Sequence, residues 1–355
     1  MNLAAVEQIA KAVLYEGYML YPYRPSSVKN QQRWNFGVLC PQSYSEAQNR
    51  TEAWAMQTEC LVEGSSLTGF EVRVRFLQLI ARSVGKLDTP LGELPQGEDV
   101  KFHPVEKLAV NGRVYQPWQE ATEREVILPV CNVEALTNST FSEAFAFPAD
   151  RQLEWLRESD NAGIVGVLIR ERNALCGEVE VTGSPQSDGV FKVSVRIRNT
   201  TPFEVSVATA REDALLCAMA SAHTVLGVHD GRFTSLLAPP EALSEAAANC
   251  HNVGTYPVLV GVEGQCDTML SSPIILYDYP QIAPESVGDL FDGTEIDEIL
   301  SLRIMTLTDD EKLEMSQSDE RAGQMLARTE TMPVEQLMKL HGVLRGLRPL
   351  REETQ

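Results

Sequence analysis

The alternation of apolar and polar residues is the clearest pattern in the chain, and it predicts β-strands. From Glu71 to Ile80, apolar side chains alternate with Arg73 and Arg75. Val190–Asn199 repeats the pattern with lysine, serine and arginine at the polar positions. A period of two is typical of a half-buried strand, because successive side chains point to opposite faces of a sheet. The stretch from Gly163 to Ala208 is therefore predicted to be a meander of antiparallel strands.

Other segments place apolar residues three or four positions apart, and this spacing predicts helices. Residues 2–13 have it, and so does Arg211–Leu226, whose apolar stripe includes His223. Pro333, which suits the first turn of a helix, is predicted to open a last helix that carries several arginines.

Together these elements predict an α+β fold. The N-terminal and central regions are expected to be antiparallel and β-rich, arranged as a sandwich or a barrel, and the C-terminal region is expected to be helical. The expected domains are a β-rich N-terminal domain at 1–160, an α+β domain at 161–280, and a helical region, first acidic and then basic, at 281–355.

The segment from Ser272 to Met315 changes character more fully than any other. It begins with a continuous apolar run, Pro273–Tyr279, which predicts a buried strand that ends at Pro280. After an irregular loop, helices are predicted to begin at Thr294 and at Thr308, because threonine is a good N-cap. A glutamate follows Thr308 three residues later and completes a capping box.

Acidic charge is concentrated in the same part of the chain. The formal net charge is −20, and Asp278–Glu330 contains 14 acids and 4 bases, which gives −10 in that window. Nucleic acids and anionic membranes are disfavoured as partners, because both require a basic face on the protein. A basic protein surface is the expected partner. The acids expected to contact it are Asp289, Asp292, Glu295, Asp297 and Glu298.

The cysteines and the N-terminus indicate a reducing compartment. The seven cysteines are scattered and form no CxxC motif, which fits free thiols better than a disulfide framework or a zinc knuckle. The N-terminus lacks the basic start and the cleavage site of a signal peptide, and no window approaches the roughly 20 uninterrupted apolar residues of a membrane helix. A cytoplasmic location is therefore expected.

One group of residues has the side chains of a catalytic or metal site. Its members are His223, His229, Asp230, Cys250 and His251. If the helices predicted to end near His223 and Cys250 converged, the group would form a Cys–His nucleophile pair or a mixed metal site. The spacings match no standard motif, however, and a histidine at the end of a helix also serves as a cap or a core residue. No cofactor is predicted, because the sequence has no P-loop, no HExxH and no GxGxxG after a strand.

An aromatic and basic stretch near the N-terminus is a second candidate, for an anionic or planar ligand. Tyr21, Arg24, Arg33 and Trp34 combine forked hydrogen-bond donors with rings on which such a group would stack. The alternative is that these residues are internal, with the arginines paired to carboxylates and the rings in the core.

Three blocks of the sequence carry a resemblance to a known family. They are LYEGYMLYPYRPSSVKNQQRW at 14–34, CHNVGTYPVLVG at 250–261, and the block at 272–312. The chain resembles an uncharacterised family of bacterial conserved hypothetical proteins that is associated with gene neighbourhoods of nickel–iron hydrogenases. The resemblance implies an accessory role, as an assembly factor, a scaffold or an auxiliary subunit, with hydrogenase subunits as the partner.

The resemblance provides no catalytic residues to transfer to this chain. The expected function is therefore that of a non-catalytic protein that binds a protein partner. A hydrolase or metal-dependent enzyme, centred on the histidine and cysteine group at 223–251, is the alternative.

Overall fold

The computed structural model describes residues 3–15, 36–94, 100–158, 163–281, 304–318 and 320–333. The described residues up to Gln281 belong to one compact unit, and those from Ile304 onward belong to a second. No helix within these described ranges is long and apolar enough to cross a membrane.

The first unit is built mainly from strands. Its helices are α1 (Leu3–Tyr15), α2 (Gln42–Ala47), α3 (Val133–Asn138), α4 (Arg211–Leu215) and α5 (Ser244–Ala248). Its strands are β1 (Ala55–Leu91), β2 (His103–Pro104), β3 (Leu108–Val110), β4 (Arg113–Tyr115), β5 (Trp118–Ile127), β6 (Cys131–Asn132), β7 (Phe141–Phe147), β8 (Asp150–Arg157), β9 (Ile164–Arg172), β10 (Leu175–Ser187), β11 (Val190–Asn199), β12 (Met219–Thr234), β13 (Tyr256–Leu259) and β14 (Thr268–Ser272).

Strand β1 is the element around which the sheet is built. It is 37 residues long, and it pairs in antiparallel fashion with β2, β5, β6, β9, β11 and β12. The main path through the sheet runs β13-β14-β12-β1-β11-β10-β7. The antiparallel, β-rich fold expected from the alternation is confirmed, but the sheet is open, so the barrel alternative is wrong.

One face of this sheet carries the largest core. Val72, Val74 and Phe76 of β1 point into it, on the side that the alternation assigned to them. Burial of an apolar side chain of this size contributes roughly 1.5–3 kcal/mol. Neighbouring strands supply further members of the same core: Val179, Val193, Val195, Leu226, Val228, Phe233 and Met269.

The opposite face of β1 is covered by helices. Helix α1 packs Val6 and Val13 against Val225 of β12 and Leu270 of β14. The helix predicted over residues 2–13 is therefore confirmed, and its apolar stripe is the face that it buries. Farther along β1, Leu77 packs in a separate cluster that also contains residues of α4.

The helix predicted over Arg211–Leu226 is wrong. Helix α4 ends at Leu215, and Met219 begins strand β12. The first ten residues of β12 are all buried, because the strand is covered on both faces. A strand buried on both faces has a continuous apolar run instead of an alternation, and such a run also contains the spacings of a helix.

The buried strand predicted over Pro273–Tyr279 is also wrong. Strand β14 ends at Ser272, because proline has no N–H group to donate to a strand ladder. Strand β14 lies between β12 and β13, and Tyr256 of β13 is opposite Ser272. The apolar run beyond it alternates without pairing, so that only every second side chain packs against the protein.

One sheet contains strands from both sides of residue 160, where the sequence suggested a domain boundary. Strand β1 pairs with β5 before that position and with β9, β11 and β12 after it. Residues of the expected first and second domains therefore share one hydrogen-bonded sheet.

The second unit contains α6 (Asp309–Ser318) and α7 (Glu320–Glu330). The capping box predicted at Thr308 is confirmed: its backbone N–H donates to Oε2 of Glu311 at 2.8 Å, and its hydroxyl accepts from the Glu311 N–H at 3.3 Å. Lys312 of α6 forms an ion pair with Glu330 of α7 at 2.9 Å. The helices predicted from Thr294 and from Pro333 lie outside the described residues.

Candidate functional site

Strand β12 holds two of the predicted catalytic residues, His223 and His229. They lie six positions apart on the strand, which corresponds to roughly 20 Å. His223 lies opposite Arg75 of β1, whereas His229 lies opposite Gly69. The two imidazoles therefore belong to different environments and do not form one site.

His223 is fully buried in the sheet. Its Nδ1 lies 2.9 Å from the carbonyl oxygen of Ser221, and its Nε2 has no hydrogen-bond partner in the structure. Burial, together with a smaller effect of the Arg75 charge, lowers the pKa of His223 from 6.5 to about 4, although the Ser221 carbonyl and Glu7 oppose the shift. The imidazole is therefore neutral at physiological pH and acts as a core residue.

His229 lies at the surface beside a β-bulge. Its Nε2 is 3.3 Å from Oε2 of Glu71, whose other oxygen accepts from Arg73 at 2.9 Å. The next residue, Asp230, has a φ of +56°. Its backbone carbonyl accepts a hydrogen bond from the Thr68 hydroxyl. These contacts fix the shape of the bulge and supply no nucleophile.

Cys250 and His251 follow helix α5 and lie against the first part of β1. The backbone N–H of His251 donates to Oε2 of Glu59 at 2.8 Å, and Lys192 forms an ion pair with the same oxygen at 3.3 Å. The side chain of Asn252 accepts from the Glu59 N–H at 2.7 Å. Through these hydrogen bonds, Glu59 of β1 holds the loop at residues 250–252 against the sheet.

The Cys250 thiol is not prepared for nucleophilic attack. Burial, followed by the charge of Glu59, raises its pKa to about 11 against the opposing effect of Lys192. A reactive cysteine needs a lowered pKa, because the thiolate is the attacking species. No hydrogen bond joins this thiol to an imidazole within the described part of the chain, where no three potential metal ligands converge either.

The five residues of the histidine and cysteine group are thus distributed over three places in the first unit: the buried part of β12, its exposed part, and the loop after α5. The remaining predicted site residues lie outside the described residues. They are Tyr21, Arg24, Arg33 and Trp34 of the predicted ligand site, and Asp289, Asp292, Glu295, Asp297 and Glu298 of the predicted contact surface.

Residues 273–279 were predicted to form a buried strand. They form a surface segment that is held at both ends. Asp278 accepts from the Leu259 N–H at 2.8 Å and from the Ser235 hydroxyl. Tyr279 has a φ of +55°, and its N–H donates to the carbonyl oxygen of Leu259 at 2.7 Å. Strand β14 fixes the other end of the segment.

Two large apolar side chains of this segment point away from the protein. Ile275 is 93% exposed and Tyr277 is 79% exposed, while Ile274 and Leu276 pack against the α1 cluster. The apolar run in the sequence did not indicate this exposure. The signal that would have revealed it is the proline at the start of the run, since it prevents pairing on the free side and leaves alternate residues uncovered.

The acids at the start of α6 are exposed as well. Asp309 and Asp310 occupy its first turn, where the positive end of the helix dipole favours negative charge. Neither carboxylate forms an ion pair with any residue that the structure describes. Their charge is therefore available to solvent or to a partner.

Comparison with protein families and with curated proteins identifies no relative of this chain. No family model matches the chain, and no curated protein matches it either. What the chain does is therefore inferred from its own residues.

Proposed function

We propose that this chain is a non-catalytic accessory protein that binds a protein partner, as an assembly factor, scaffold or auxiliary subunit. The observation that carries the proposal is the exposure of Ile275 and Tyr277 on a segment that is held in place at both ends. Because the segment is already ordered, its two apolar side chains can be buried by a partner at a small cost in conformational entropy.

The charge of the chain supports a particular kind of partner. Protein interfaces commonly combine buried aromatic or aliphatic anchors with a polar rim. Here the anchors are followed directly in sequence by the window Asp278–Glu330, with its 14 acids and 4 bases. A partner that carries both an apolar pocket and a basic surface would match both features, and opposite charge would speed the encounter.

The sequence adds an acidic region, a location and a partner class to this proposal. The helical C-terminal region at 281–355 presents the acids, and the protein acts in the cytoplasm without binding nucleic acid or membrane. A hydrogenase subunit is the partner that the family resemblance implies. The predicted C-terminal helix carries several arginines. It either packs on the acidic helices of the same chain or docks elsewhere.

Neutralising three acids of the predicted contact surface should weaken partner binding. In the triple variant Asp289→Asn, Asp292→Asn and Glu295→Gln, we expect about tenfold lower recovery of co-purifying proteins from the native host. The loss should be largest at low salt, because screening already weakens the attraction at high salt. Affinity purification followed by identification of the recovered proteins measures this.

A matched control has the same change in net charge elsewhere. Glu106, Glu143 and Asp188 are exposed in the first unit and form no ion pair with a described residue. The variant Glu106→Gln, Glu143→Gln and Asp188→Asn should recover partners like the unchanged protein. Equal recovery from the two triple variants would show that the location of the acids does not matter and would contradict the proposal.

Removing the apolar anchors, Ile275 and Tyr277, should weaken partner binding by an amount that does not depend on salt. The double variant Ile275→Ser and Tyr277→Ser should fold normally, since both side chains are almost fully exposed. We expect at least about a tenfold loss of partner recovery, because truncation of interface anchors typically costs 2 kcal/mol or more. Leu67→Ser, at a position 72% exposed on the bulge of β1, is the control. Undiminished recovery with the double variant would exclude this segment from the interface.

A further inference from the structure

Two arginines of the first unit, Arg124 and Arg172, lie near the same buried glutamine, Gln78, and few carboxylates of the described residues neutralise them. Arg124 is on β5, and Arg172 is the last residue of β9. Within the described residues, Arg124 forms no ion pair. Among these residues, Arg172 has one carboxylate neighbour, Asp150, at 3.6 Å between Nη2 and Oδ2. That distance is too long for a hydrogen bond.

Three nearby arginines, Arg75 and Arg82 of β1 and Arg170 of β9, are paired with carboxylates, which distinguishes them from Arg124 and Arg172. Hydrogen bonds to carboxylates raise the pKa of Arg75 and of Arg170 against the opposing effect of burial. By contrast, burial and then the charge of Arg172 lower the pKa of Arg124. The satisfied ion pairs join Arg75 to Glu7 and Glu125, Arg82 to Glu120, and Arg170 to Glu120 and Glu154.

A buried glutamine holds Arg124 and contacts the backbone next to Arg172. Gln78 of β1 is fully buried, and its Oε1 accepts from Nε of Arg124 at 2.9 Å. Its Nε2 donates to the carbonyl oxygen of Asn173 at 2.9 Å, next to Arg172 in the chain. The ring of Phe147 lies under the Arg124 guanidinium, 4.4 Å from ring centroid to guanidinium carbon. Two contacts therefore hold Arg124, although neither of them neutralises its charge.

The hydrogen bonds of Arg172 are incomplete in a similar way. Its Nε is buried and has no hydrogen-bond partner in the structure. Oδ2 of Asp150, which is its only described carboxylate neighbour, already accepts from Gln152 at 2.9 Å. A guanidinium has five N–H donors, and the described residues offer most of those of Arg172 no strong acceptor.

We propose that Arg124 and Arg172 form a binding site for a phosphate group, whose oxygens accept hydrogen bonds from both guanidinium groups. Guanidinium groups present paired donors that match the geometry of phosphate oxygens. Two cations opposed by one distant carboxylate favour a doubly charged anion over a singly charged one. Gln78 and Phe147 are positioning residues, because they orient Arg124 and leave its outer nitrogens available.

Inorganic phosphate is the direct probe of this site. In wild-type protein, phosphate at ten times its Kd should raise the melting temperature by about 2–4 °C, measured against sodium chloride of equal ionic strength. Sodium acetate, a singly charged oxyanion, should have a smaller effect. A phosphate effect no larger than that of chloride, or an acetate effect equal to that of phosphate, would overturn the proposal.

Single variants test whether the phosphate-dependent rise in melting temperature requires the two arginines. Arg124→Gln and Arg172→Gln should each reduce the phosphate-dependent shift at least about tenfold in apparent affinity, since each removes half of the charge. Arg151→Gln is the matched control, because Arg151 is an exposed residue of β8 already paired with Glu171 at 3.1 Å. Equal phosphate responses in all three variants would exclude the arginine pair, and the wild-type titration decides the matter if either variant fails to fold.

Discussion

Replacing Phe76 with alanine should lower the free energy of unfolding by about 3–5 kcal/mol. Phe76 is fully buried at the centre of β1, and its ring lies 6.0 Å from the rings of both Phe145 and Phe147. Removing it leaves a cavity between strands that are already fixed by hydrogen bonds, so the surroundings cannot close the space. Urea unfolding followed by circular dichroism measures the change, provided that the first unit unfolds in one step.

Ile127→Ala is the matched control for this substitution. Ile127 belongs to β5, which pairs with the same part of β1, but its side chain is 52% exposed. We expect its loss to be below about 1 kcal/mol. If the two substitutions had similar effects, Phe76 would not be at the centre of the core.

Acidification should destabilise the protein through His223, and His223→Asn should remove this part of the effect. The folded state lowers the pKa of His223 from 6.5 to about 4, so the unfolded chain binds the proton first as the pH falls. Stability from this residue is complete above pH 6.5 and is lost between 6.5 and 4. Between pH 7 and pH 5 the loss amounts to about 2 kcal/mol.

Asparagine is a suitable replacement because its amide N–H₂ can take the place of Nδ1 against the Ser221 carbonyl. The experiment compares urea unfolding of the two proteins at pH 7 and at pH 5. Carboxylates that titrate in this range affect both proteins equally, so the difference between them isolates His223. Parallel losses in the variant and the wild type would show that this imidazole is not the group responsible.

Elements with a half-buried pattern were predictable from the sequence, and fully buried elements were not. The alternation in Glu71–Ile80 and Val190–Asn199 marks strands with one covered face, and the structure has strands there. The capping box at Thr308 identified the start of α6, because a cap depends only on neighbours in the chain. Strand β12 was mistaken for a helix, since burial on both faces removes the alternation.

The candidate sites were harder to predict because they depend on pairing between distant strands. Arg124 and Arg172 are 48 positions apart, and no spacing rule connects them. Only the register of β5 and β9 along β1 brings both to the neighbourhood of Gln78. The histidine and cysteine group failed to converge for the corresponding reason: it was assembled from a helix that is in fact a strand.

The length of β1 has a consequence for the synthesis of the protein. Its partner β12 ends at Thr234, so the ribosome must add about 140 further residues after Leu91 before the strand has all its neighbours. At typical elongation rates this takes roughly ten to thirty seconds, during which a long apolar strand has unpaired edges. Nascent chains of this protein should therefore depend on chaperones more than its modest size suggests. Overexpression to high concentration should favour aggregation before the chain is complete.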